Sequence, residues 1–554
     1  MVEQGYKEFV ERLESVCEEF GDKTAITYLR NDDSRTLITF NDIIKFAKDA
    51  KKRFDDVGLQ SGDRVAIIAP HSPFAIITGL SLAYSNVTSV LIDASLPFEE
   101  ITRLLNLSDV RAIFTTSDIY DSFDKEVVIN IPVFDVVTII DKPVVFDGST
   151  DVIKAVATTD PHHDVIVMLF SSGTTASIKA VMVLYKTIMK TIDLYSINTG
   201  LTSKTTNLVV LPFNHVSGYG SVVQQLLFGS GIGVIEDVDA SKFSKGLLAY
   251  QPVIFAMVPK VFEVIESKIR QELRSKGKEK TVIGLLKISA LLRKRFGINI
   301  GKKLFKTITD KVFGVNIYGL GTGGTSCKKE IAEFYLNLGL EWANYYALTE
   351  TYFICVGTGI HDRYPAGTEG YVKRHPGIEI KIHSPDENGI GEIRVKTILI
   401  MKGYFRDPEL TAAAFDEDGY FKTGDLGYID KKDYLHVTGR IKEAIMLHTG
   451  KKVAPSDVDD LYSKLCPDTP IASCGVPYRD GTYDEIHLFV EKGELSEEEQ
   501  LALKNRIMEF SAETSTLYQI SGLHFIDKIP ITSVGKVKRF QLKEISISEN
   551  FEKA

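Results

Sequence analysis

A hydroxyl-rich segment in the first third of the chain has the residue types that bind phosphate. An apolar run, Val165–Phe170, ends in Ser171-Ser172-Gly173-Thr174-Thr175, and Lys179 follows. Hydroxyls and free backbone N–H groups in such a turn can surround phosphate oxygens, and a lysine adds positive charge. The segment does not fit the pattern G-x-x-x-x-G-K-[ST] of P-loop proteins. By itself it is interpreted equally well as a polar turn at the end of a strand.

Further segments downstream carry polar and charged residues in recognisable patterns. The segments are LPFNHVSGYG (Leu211–Gly220), NYYALTE (Asn344–Glu350), GYFKTGDLGYID (Gly419–Asp430), GRIKEAIMLHTGKKVAP (Gly439–Pro455) and IPITSVGKVKR (Ile529–Arg539). Together with the hydroxyl-rich segment, and in the same order, they resemble the motifs of the adenylate-forming superfamily, which includes acyl-CoA synthetases, peptide-synthetase adenylation domains and firefly luciferase. The resemblance covers roughly residues 8–545.

The resemblance implies an activity. The protein would activate a carboxylic acid with ATP to an acyl-adenylate, release pyrophosphate, and then form a thioester with coenzyme A. Attack of one anion on another at the α-phosphate depends on alignment and charge neutralisation. Catalytic roles would fall to Lys536, Glu350, Thr349 and His215. Lys536 would bridge the acid and ATP, and His215 would gate the site rather than transfer a proton.

The resemblance also implies a nucleotide and metal site. The hydroxyl-rich loop and Lys179 would hold the β- and γ-phosphates, and Thr349 would contact the α-phosphate. Glu350 and Thr174 would bind Mg²⁺, a hard ion that takes one or two carboxylates plus phosphate oxygens. The residues expected to contact ATP are Ser171, Ser172, Gly173, Thr174, Thr175, Lys179, Gly324, Thr325, Asn344, Tyr345, Tyr346, Thr349, Asp425, Arg440 and Lys536.

The adenosine and acyl parts of the site are assigned in the same way. Asn344 would meet the adenine edge and Tyr346 would stack on the ring, while Asp425 would accept both ribose hydroxyls. Arg440 would bind ribose or phosphate oxygens. The expected acyl pocket is formed by Val216, Tyr219, Gly324 and Tyr345.

Two residues near residue 440 are expected to serve a domain rotation. The resemblance makes Lys442 the hinge about which a C-terminal domain rotates after adenylation, which would remove Lys536 from the site. The same rotation would bring Gly450 to a channel for the thiol acceptor, where a side chain would narrow the channel.

Without the resemblance, the same residues have ordinary structural interpretations. Asp425 in TGDLG suits a turn, Lys536 suits a solvated loop, and Lys442 suits a surface position. A lone histidine such as His215 is more often structural than catalytic.

The chain departs from the family pattern in its glycines. Ala176, Ile178 and Ala180 stand where the family has Gly, Pro and Gly, and Ala347 replaces the Gly of Y-G-x-T-E. If those positions need a positive φ, alanine is strained there by about 1 kcal/mol or more. We therefore expect a working enzyme with weakened affinity for the nucleotide.

The acid and the acceptor are less closely specified. LFKTITDKVFG (Leu304–Gly314) and, more faintly, the segment from Gly323 to Glu330 are similar to motifs of bacterial long-chain fatty acyl-CoA synthetases. A medium- or long-chain fatty acid and coenzyme A are therefore the expected substrates. The alternatives are an acyl-AMP ligase that loads a carrier protein, and a degenerate acyl- or nucleotide-binding relative without activity.

The elements that position these residues are predicted from hydrophobic periodicity. Short apolar runs such as Arg64–Pro70, Thr88–Asp93 and Arg111–Thr116 alternate with helical patterns, which indicates βαβ units and largely parallel sheets. From Gly391 onward the pattern is typical of antiparallel hairpins. We predict an α/β fold with a large N-terminal domain, residues 1–438, that includes a β-rich subdomain. Residues 439–554 are predicted to form a small mobile α+β domain.

Composition and charge narrow the class of protein. The net charge of −9 argues against nucleic acid as a partner. Five cysteines at wide spacings, without C-x-x-C, indicate a reducing compartment, and the absence of a signal-peptide pattern predicts a cytoplasmic protein. The Lys/Arg-rich stretch Val261–Val312 is predicted to form solvated amphipathic helices, with peripheral contact to a membrane as the alternative. The sequence does not specify an oligomeric state.

Overall fold

The computed structural model of the chain has an α/β architecture, as predicted. It describes residues 4–123, 131–137, 162–171, 178–199, 202–236, 240–325, 327–358, 365–466, 469–478, 481–532 and 535–552.

A seven-stranded sheet forms the centre of the N-terminal part. Its neighbours are parallel, except at one edge where β7, β8 and β18 pair antiparallel. In spatial order the strands are β18 (Gly403–Tyr404), β8 (Lys179–Leu184), β7 (Val165–Ser171), β4 (Thr88–Leu91), β3 (Arg64–Ile68), β5 (Ala112–Thr115) and β6 (Val133–Asp135).

Burial on both faces explains the uninterrupted apolar runs of this sheet. Val65 and Ile67 of β3 point into one hydrophobic core, whereas Ala66 and Ile68 point into another. A strand covered on both sides has no solvent face, so its sequence shows no alternation of polar and apolar residues. The helices that precede the hydroxyl-rich segment are α1 (Gln4–Phe20), α2 (Phe40–Asp56), α3 (Pro73–Tyr84), α4 (Phe98–Ser108) and α5 (Ser117–Asp121).

Two four-stranded sheets, largely parallel, complete the α/β region. The first contains β2 (Arg35–Thr39), β1 (Thr24–Leu29), β10 (Gly231–Ile235) and β9 (Thr206–Leu208). The second contains β11 (Ile254–Met257), β12 (Gly319–Gly323), β13 (Glu341–Tyr346) and β14 (Cys355–Thr358). The helices between them are α6 (Tyr185–Thr199), α7 (Val216–Leu227), α8 (Ala240–Tyr250), α9 (Pro259–Ser275), α10 (Glu279–Phe296), α11 (Gly301–Leu304), α12 (Lys306–Phe313) and α13 (Lys329–Asn337).

The predicted hairpins form a five-stranded, fully antiparallel sheet. A short helix, α14 (Pro408–Ala413), precedes its central pair of strands. In spatial order the strands are β15 (Gly370–Tyr371), β20 (Tyr434–Arg440), β19 (Phe421–Ile429), β17 (Gly391–Thr397) and β16 (Ile378–His383). Strand β20 extends to Arg440, so its last two residues lie beyond the predicted domain boundary at residue 438.

The C-terminal part has hydrophobic cores of its own, which run from Ile445 to Ile545. The elements are β21 (Ile445–Met446), β22 (Lys452–Val453), α15 (Pro455–Tyr462), β23 (Ile471–Pro477), β24 (Asp484–Glu491), α16 (Glu497–Glu513), β25 (Gly522–Ile526) and α17 (Arg539–Glu552).

Local sequence signals set several of these boundaries. Thr39 and Asp42 form a capping box at the start of α2, and Ser496 and Glu499 form another at the start of α16. Each box satisfies backbone N–H groups that have no partner within the helix. None of the helices in the described ranges combines the length and the apolar character that a membrane span requires.

A cluster of charged side chains attaches residues 404–406 to the central sheet. The Arg64 guanidinium, buried in β3, donates to the Asp109 carboxylate at 3.0 Å and stacks on the Phe405 ring at 4.8 Å. Arg406 donates to the same carboxylate at 2.6 Å. Because Tyr404 precedes these residues, the cluster determines where β18 lies against β8.

We predict that Asp109→Ala lowers the free energy of unfolding by about 3 kcal/mol, because Arg64 would keep its buried charge without a carboxylate partner. Asp109→Asn should cost about 1 kcal/mol, since asparagine keeps an acceptor and tolerates the left-handed backbone at φ 50°. Urea denaturation measures both.

Asp433→Ala is the matched control. Asp433 also has a positive φ, 62°, but its partner Lys373 is exposed. Its loss should therefore cost much less than the loss of Asp109. Equal destabilisation at the two positions would show that only the backbone conformation matters.

Candidate functional site

Asp425 lies at the centre of the predicted site and is almost fully buried, with 4% of its surface exposed. The Tyr346 hydroxyl donates to its Oδ2 at 2.7 Å, and Arg440 Nε lies 2.9 Å from its Oδ1. Burial raises the pKa of Asp425, and the neighbouring Arg440 guanidinium opposes that rise. An ionised carboxylate has about four acceptor positions, so two remain for a ligand's hydroxyls.

Strand pairing explains how residues far apart in sequence meet here. Asp425 and Arg440 are direct cross-strand partners in β19 and β20. Tyr346 is the last residue of β13 in a different sheet, so its hydroxyl joins the two sheets at this carboxylate. The TGDLG segment is therefore part of a strand, not the simple turn that it suggests in isolation.

Lys536 belongs to the C-terminal part, and its charge interacts with Asp425 and Arg440. Its pKa is lowered by burial and by the Arg440 guanidinium, while the carboxylates of Asp425, Glu443 and Glu350 oppose the shift. A short loop presents the side chain: Thr532 Oγ1 accepts from the Lys536 backbone N–H at 3.1 Å, and Gly535 has φ 77°. Three carboxylates and one guanidinium therefore act on the charge of Lys536.

His215 lies at the start of α7, and the charge of Lys536 acts on it. It is the residue that immediately precedes the helix, and its side chain makes no capping hydrogen bond. Burial and the charge of Lys536 lower the pKa of His215 to about 4. The imidazole is therefore neutral near pH 7 and adds no cation to the site, and its gating role stays a prediction.

Glu350 and Lys179 are connected through a tyrosine that sequence reasoning missed. The Tyr404 hydroxyl donates to Glu350 Oε1 at 3.0 Å, and Lys179 Nζ lies 4.7 Å from the centre of the Tyr404 ring. Burial and the Glu350 carboxylate raise the pKa of Tyr404. The only sequence signal was a tyrosine in MKGYFRDP, whose position depends on the pairing of β18 with β8.

The donor set suits a magnesium ion held mainly by its substrate. Glu350 supplies one carboxylate, and Thr174 lies outside the described residues. Within the described ranges, no group of three or more His, Cys, Asp or Glu side chains could hold a metal ion. One carboxylate plus phosphate oxygens is a normal environment for Mg²⁺. The Glu350 carboxylate is a donor of the kind that Mg²⁺ takes, so the described residues fit the ion.

The phosphate loop is described only at its two ends. Ser171 ends β7 and Lys179 begins β8, and the two residues are paired. The expected contacts Ser172, Gly173, Thr174 and Thr175, and the substituted Ala176, lie outside the described residues. Ala180 is buried inside β8, and neither Ala180 nor Ala347 has a positive φ. The strain that their substitution for glycine could have caused is therefore absent at these two positions.

The remaining predicted residues occupy the strand ends around this centre. Asn344 is buried and its Nδ2 donates to the Thr368 carbonyl at 3.2 Å. Gly324, with φ 84°, and Thr325 are exposed just after β12. Thr349 lies in the turn that leads to Glu350.

The predicted acyl pocket draws on the same region. Tyr219 is buried in α7 and packs against Phe213, with 5.3 Å between ring centres. Val216 opens the same helix, and the Tyr345 ring lies so close to Gly321 that a Cβ there would be 2.7 Å from it. All three side chains belong to, or pack against, one hydrophobic cluster, and Val216 directly follows His215 in the chain.

Lys442 and Gly450 lie away from the central cluster. Lys442 is exposed in the turn after β20. Gly450 has φ 76° and open space around it, in the turn between β21 and β22. A positive φ favours glycine there independently of any channel.

Comparison with known proteins gives a family match and several relatives. The model of the AMP-binding enzyme family matches residues 13–405. A long-chain-fatty-acid–CoA ligase of Drosophila melanogaster, heimdall, is 27% identical over 55% of this chain and 47% of its own length. The 4-coumarate–CoA ligase 1 of Petroselinum crispum is 25% identical over 94% of this chain and 91% of its own length.

Solved structures show the same fold. ATP-bound MatB from Rhodopseudomonas palustris superimposes with a TM-score of 0.72 at 19% identity, covering 97% of this chain and 98% of that one. The o-succinylbenzoate CoA synthetase of Bacillus subtilis, in complex with its acyl-adenylate, gives 0.72 at 18% identity, covering 96% and 97%.

The environment of Lys536 leads to a titration experiment. An amine-reactive acylating reagent modifies the neutral form of a lysine. We expect the pH midpoint for acylation of Lys536 to lie below the ordinary lysine pKa of about 10.4, because burial and Arg440 disfavour the ammonium. Asp425→Asn removes an attractive carboxylate and should lower the midpoint further. Peptide mass spectrometry reads the modification, with exposed Lys528 confirming reagent activity at each pH. A midpoint at or above the ordinary value would contradict this placement.

Proposed function

Because the chain belongs to the AMP-binding enzyme family, whose model matches residues 13–405, we propose that it joins a carboxylic acid to coenzyme A at the expense of ATP. The match confirms the resemblance to the adenylate-forming superfamily, and its relatives include acid–CoA ligases. The observation that carries the proposal is the buried carboxylate of Asp425, which lies 2.9 Å from Arg440 and accepts from the Tyr346 hydroxyl at 2.7 Å. The charges of Asp425 and Arg440 also act on Lys536.

In the first half-reaction the acid's carboxylate oxygen would attack the α-phosphorus of ATP. One O–P bond forms, the bond to the bridging oxygen breaks, and pyrophosphate leaves with both electrons. Two anions approach each other in this step, so fixed cations should supply most of the acceleration. Lys536 and Arg440 would supply charge at the α-phosphate and ribose, and Lys179 would supply charge at the outer phosphates.

Magnesium, when bound, would neutralise charge on the phosphate oxygens. Glu350 would hold the ion, and the Tyr404 hydroxyl orients that carboxylate by its hydrogen bond to Oε1. Asp425, itself held by Tyr346 and Arg440, would fix the ribose and thereby the direction of the α-phosphate. Positioning of this kind converts a collision of two anions into a step within one complex.

In the second half-reaction the thiol of coenzyme A would attack the acyl carbonyl and release AMP. We propose that the C-terminal part rotates about Lys442 for this step, which withdraws Lys536 and brings Gly450 near the thiol. Separate hydrophobic cores after Ile445 support movement as a unit. A carrier protein's thiol is the alternative acceptor.

For the acid, we propose a medium- or long-chain fatty acid. Tyr219, Val216 and Tyr345 belong to, or pack against, one hydrophobic cluster, and an apolar surface with few polar groups suits a hydrocarbon chain. The relatives act, by name, on long-chain fatty acids and on 4-coumarate, so an aromatic acid is the competing substrate.

We predict that Lys536→Ala lowers acid-dependent exchange of pyrophosphate into ATP by about 100-fold or more, the usual effect of removing a preorganised donor at a reacting centre. Lys528→Ala is the matched control, because Lys528 is exposed in the same part of the chain. Equal exchange by Lys536→Ala and wild type would remove Lys536 from the chemistry. Absence of exchange by the wild type with every acid would favour a binding protein without activity.

A panel of acids tests substrate and acceptor together. Acyl-CoA formation should be fastest with a saturated acid of medium or long chain, and slower with 4-coumarate or benzoate. A faster reaction with 4-coumarate would contradict the proposed fatty-acid substrate but would still support the proposed ligase activity. Pyrophosphate exchange without any acyl-CoA, but with loading of a phosphopantetheine carrier, would identify the carrier-protein alternative.

A further inference from the structure

Large apolar side chains are exposed together on the segment from α10 to α11. Leu291 and Phe296 have 57% and 58% of their surfaces exposed. Isolated exposed apolar residues are normal on proteins, but a group of them within a short stretch marks an interaction surface. The exposed members are Ile288, Leu291, Phe296, Ile298 and Leu304.

The inner side of α10 is fixed to the protein, so the outer side is a defined face. Leu286 and Ser289 are buried, and the Ser289 hydroxyl donates to the Asn337 carbonyl at 2.8 Å. Ile288, Leu291 and Arg295 follow each other at spacings of three and four residues, which places them on one side of the helix. All three are exposed.

The loop after α10 packs on the turn at residues 337–339, which also contacts the buried side of α10. Gly297, with φ 70°, ends the helix, and Asn299 Nδ2 donates to the Gly339 carbonyl at 3.1 Å. Gly301 packs so closely on this turn that a Cβ would lie 2.4 Å from the Asn337 carbonyl oxygen. Ile298 and Leu304 flank the residues that are anchored to this turn, and both side chains are exposed. We refer to Ile288, Leu291, Phe296, Ile298, Leu304 and the exposed cations between Lys280 and Lys303 as the α10 face.

Positive charge surrounds these apolar side chains. Residues 280–309 contain eight lysines and arginines and no aspartate or glutamate, in a chain whose net charge is −9. Lys294 and Lys306 are paired with Glu333 and Asp310. Lys280, Lys287 and Lys303 are exposed and form no ion pair with any carboxylate in the described part of the chain.

We propose that the α10 face binds the surface of an anionic phospholipid bilayer. Ile288, Leu291 and Phe296 would enter the boundary between headgroups and acyl chains, and the unpaired lysines would contact lipid phosphates. Charge complementarity selects this occupant: a nucleic acid would match the lysines but would leave the apolar side chains in water. An uncharged protein groove would match the apolar residues but not the cations. The proposal goes beyond the ligase activity and does not depend on it.

Sedimentation of the full-length protein with unilamellar vesicles tests the proposal. We expect binding to vesicles of phosphatidylcholine and phosphatidylglycerol in equal amounts, weak binding to phosphatidylcholine alone, and loss of binding at high salt. Combining Leu291→Ser with Lys287→Glu should weaken binding by about ten-fold or more. Neither residue belongs to the catalytic or binding site, so pyrophosphate exchange with a water-soluble acid should be unchanged.

The matched control combines Leu501→Ser with Lys504→Glu on α16. Leu501 is 58% exposed, like Leu291, and Lys504 is exposed beside it. This variant should bind vesicles as the wild type does. Equal loss in both variants, or no vesicle binding by the wild type, would overturn the proposal. So would a wild-type oligomer that Leu291→Ser converts to monomers without any vesicle binding, since the face would then be a protein interface.

Discussion

The buried carboxylate of Asp425 is the constraint on which the site depends. It accepts from Tyr346 of one sheet and pairs with Arg440 of another, so the two sheets are joined at one charged group. A buried carboxylate without partners would be strongly unfavourable, and removal of either partner would leave a charge in a poorly solvated position. The position of β13 relative to β19 and β20 is therefore tied to the electrostatics of this group.

Other charges of the site lie around that carboxylate. Burial and the Arg440 guanidinium lower the pKa of Lys536, and the carboxylates of Asp425, Glu443 and Glu350 oppose that shift. Lys179 lies over the Tyr404 ring. Lys536, Arg440 and Lys179 would suit a ligand that brings several negative charges, as ATP and an acid do together.

The chain carries a second, chemically different concentration of positive charge on the α10 face. In the site, the cations are buried or partly buried and held by carboxylates and a tyrosine ring. On the α10 face, the lysines are exposed and alternate with exposed leucine, isoleucine and phenylalanine. The first arrangement suits a small polyanion that is enclosed, whereas the second suits an extended surface that is both anionic and apolar.

The sequence alone determined the fold class and the family. Runs such as Arg64–Pro70 predicted strands of largely parallel sheets, and the motifs from Ser171 to Lys536 predicted the family, because residue type and order along the chain carry that information. Whether the individual roles assigned to Asn344, Lys442 or Gly450 are correct stays a prediction.

Tertiary structure decided what periodicity cannot encode. Tyr404 contacts Glu350 and Lys179 only because β18 pairs with β8 and the Arg64–Asp109–Arg406 cluster holds it there. Ala180 and Ala347 proved unstrained because backbone φ depends on the structure around each residue, not on the glycine a family motif has there. The amphipathic helices predicted in Val261–Val312 showed an exposed apolar face only once the 337–339 turn fixed which side of α10 is buried. In each case the deciding contact joins residues distant in sequence, and local patterns do not specify such contacts.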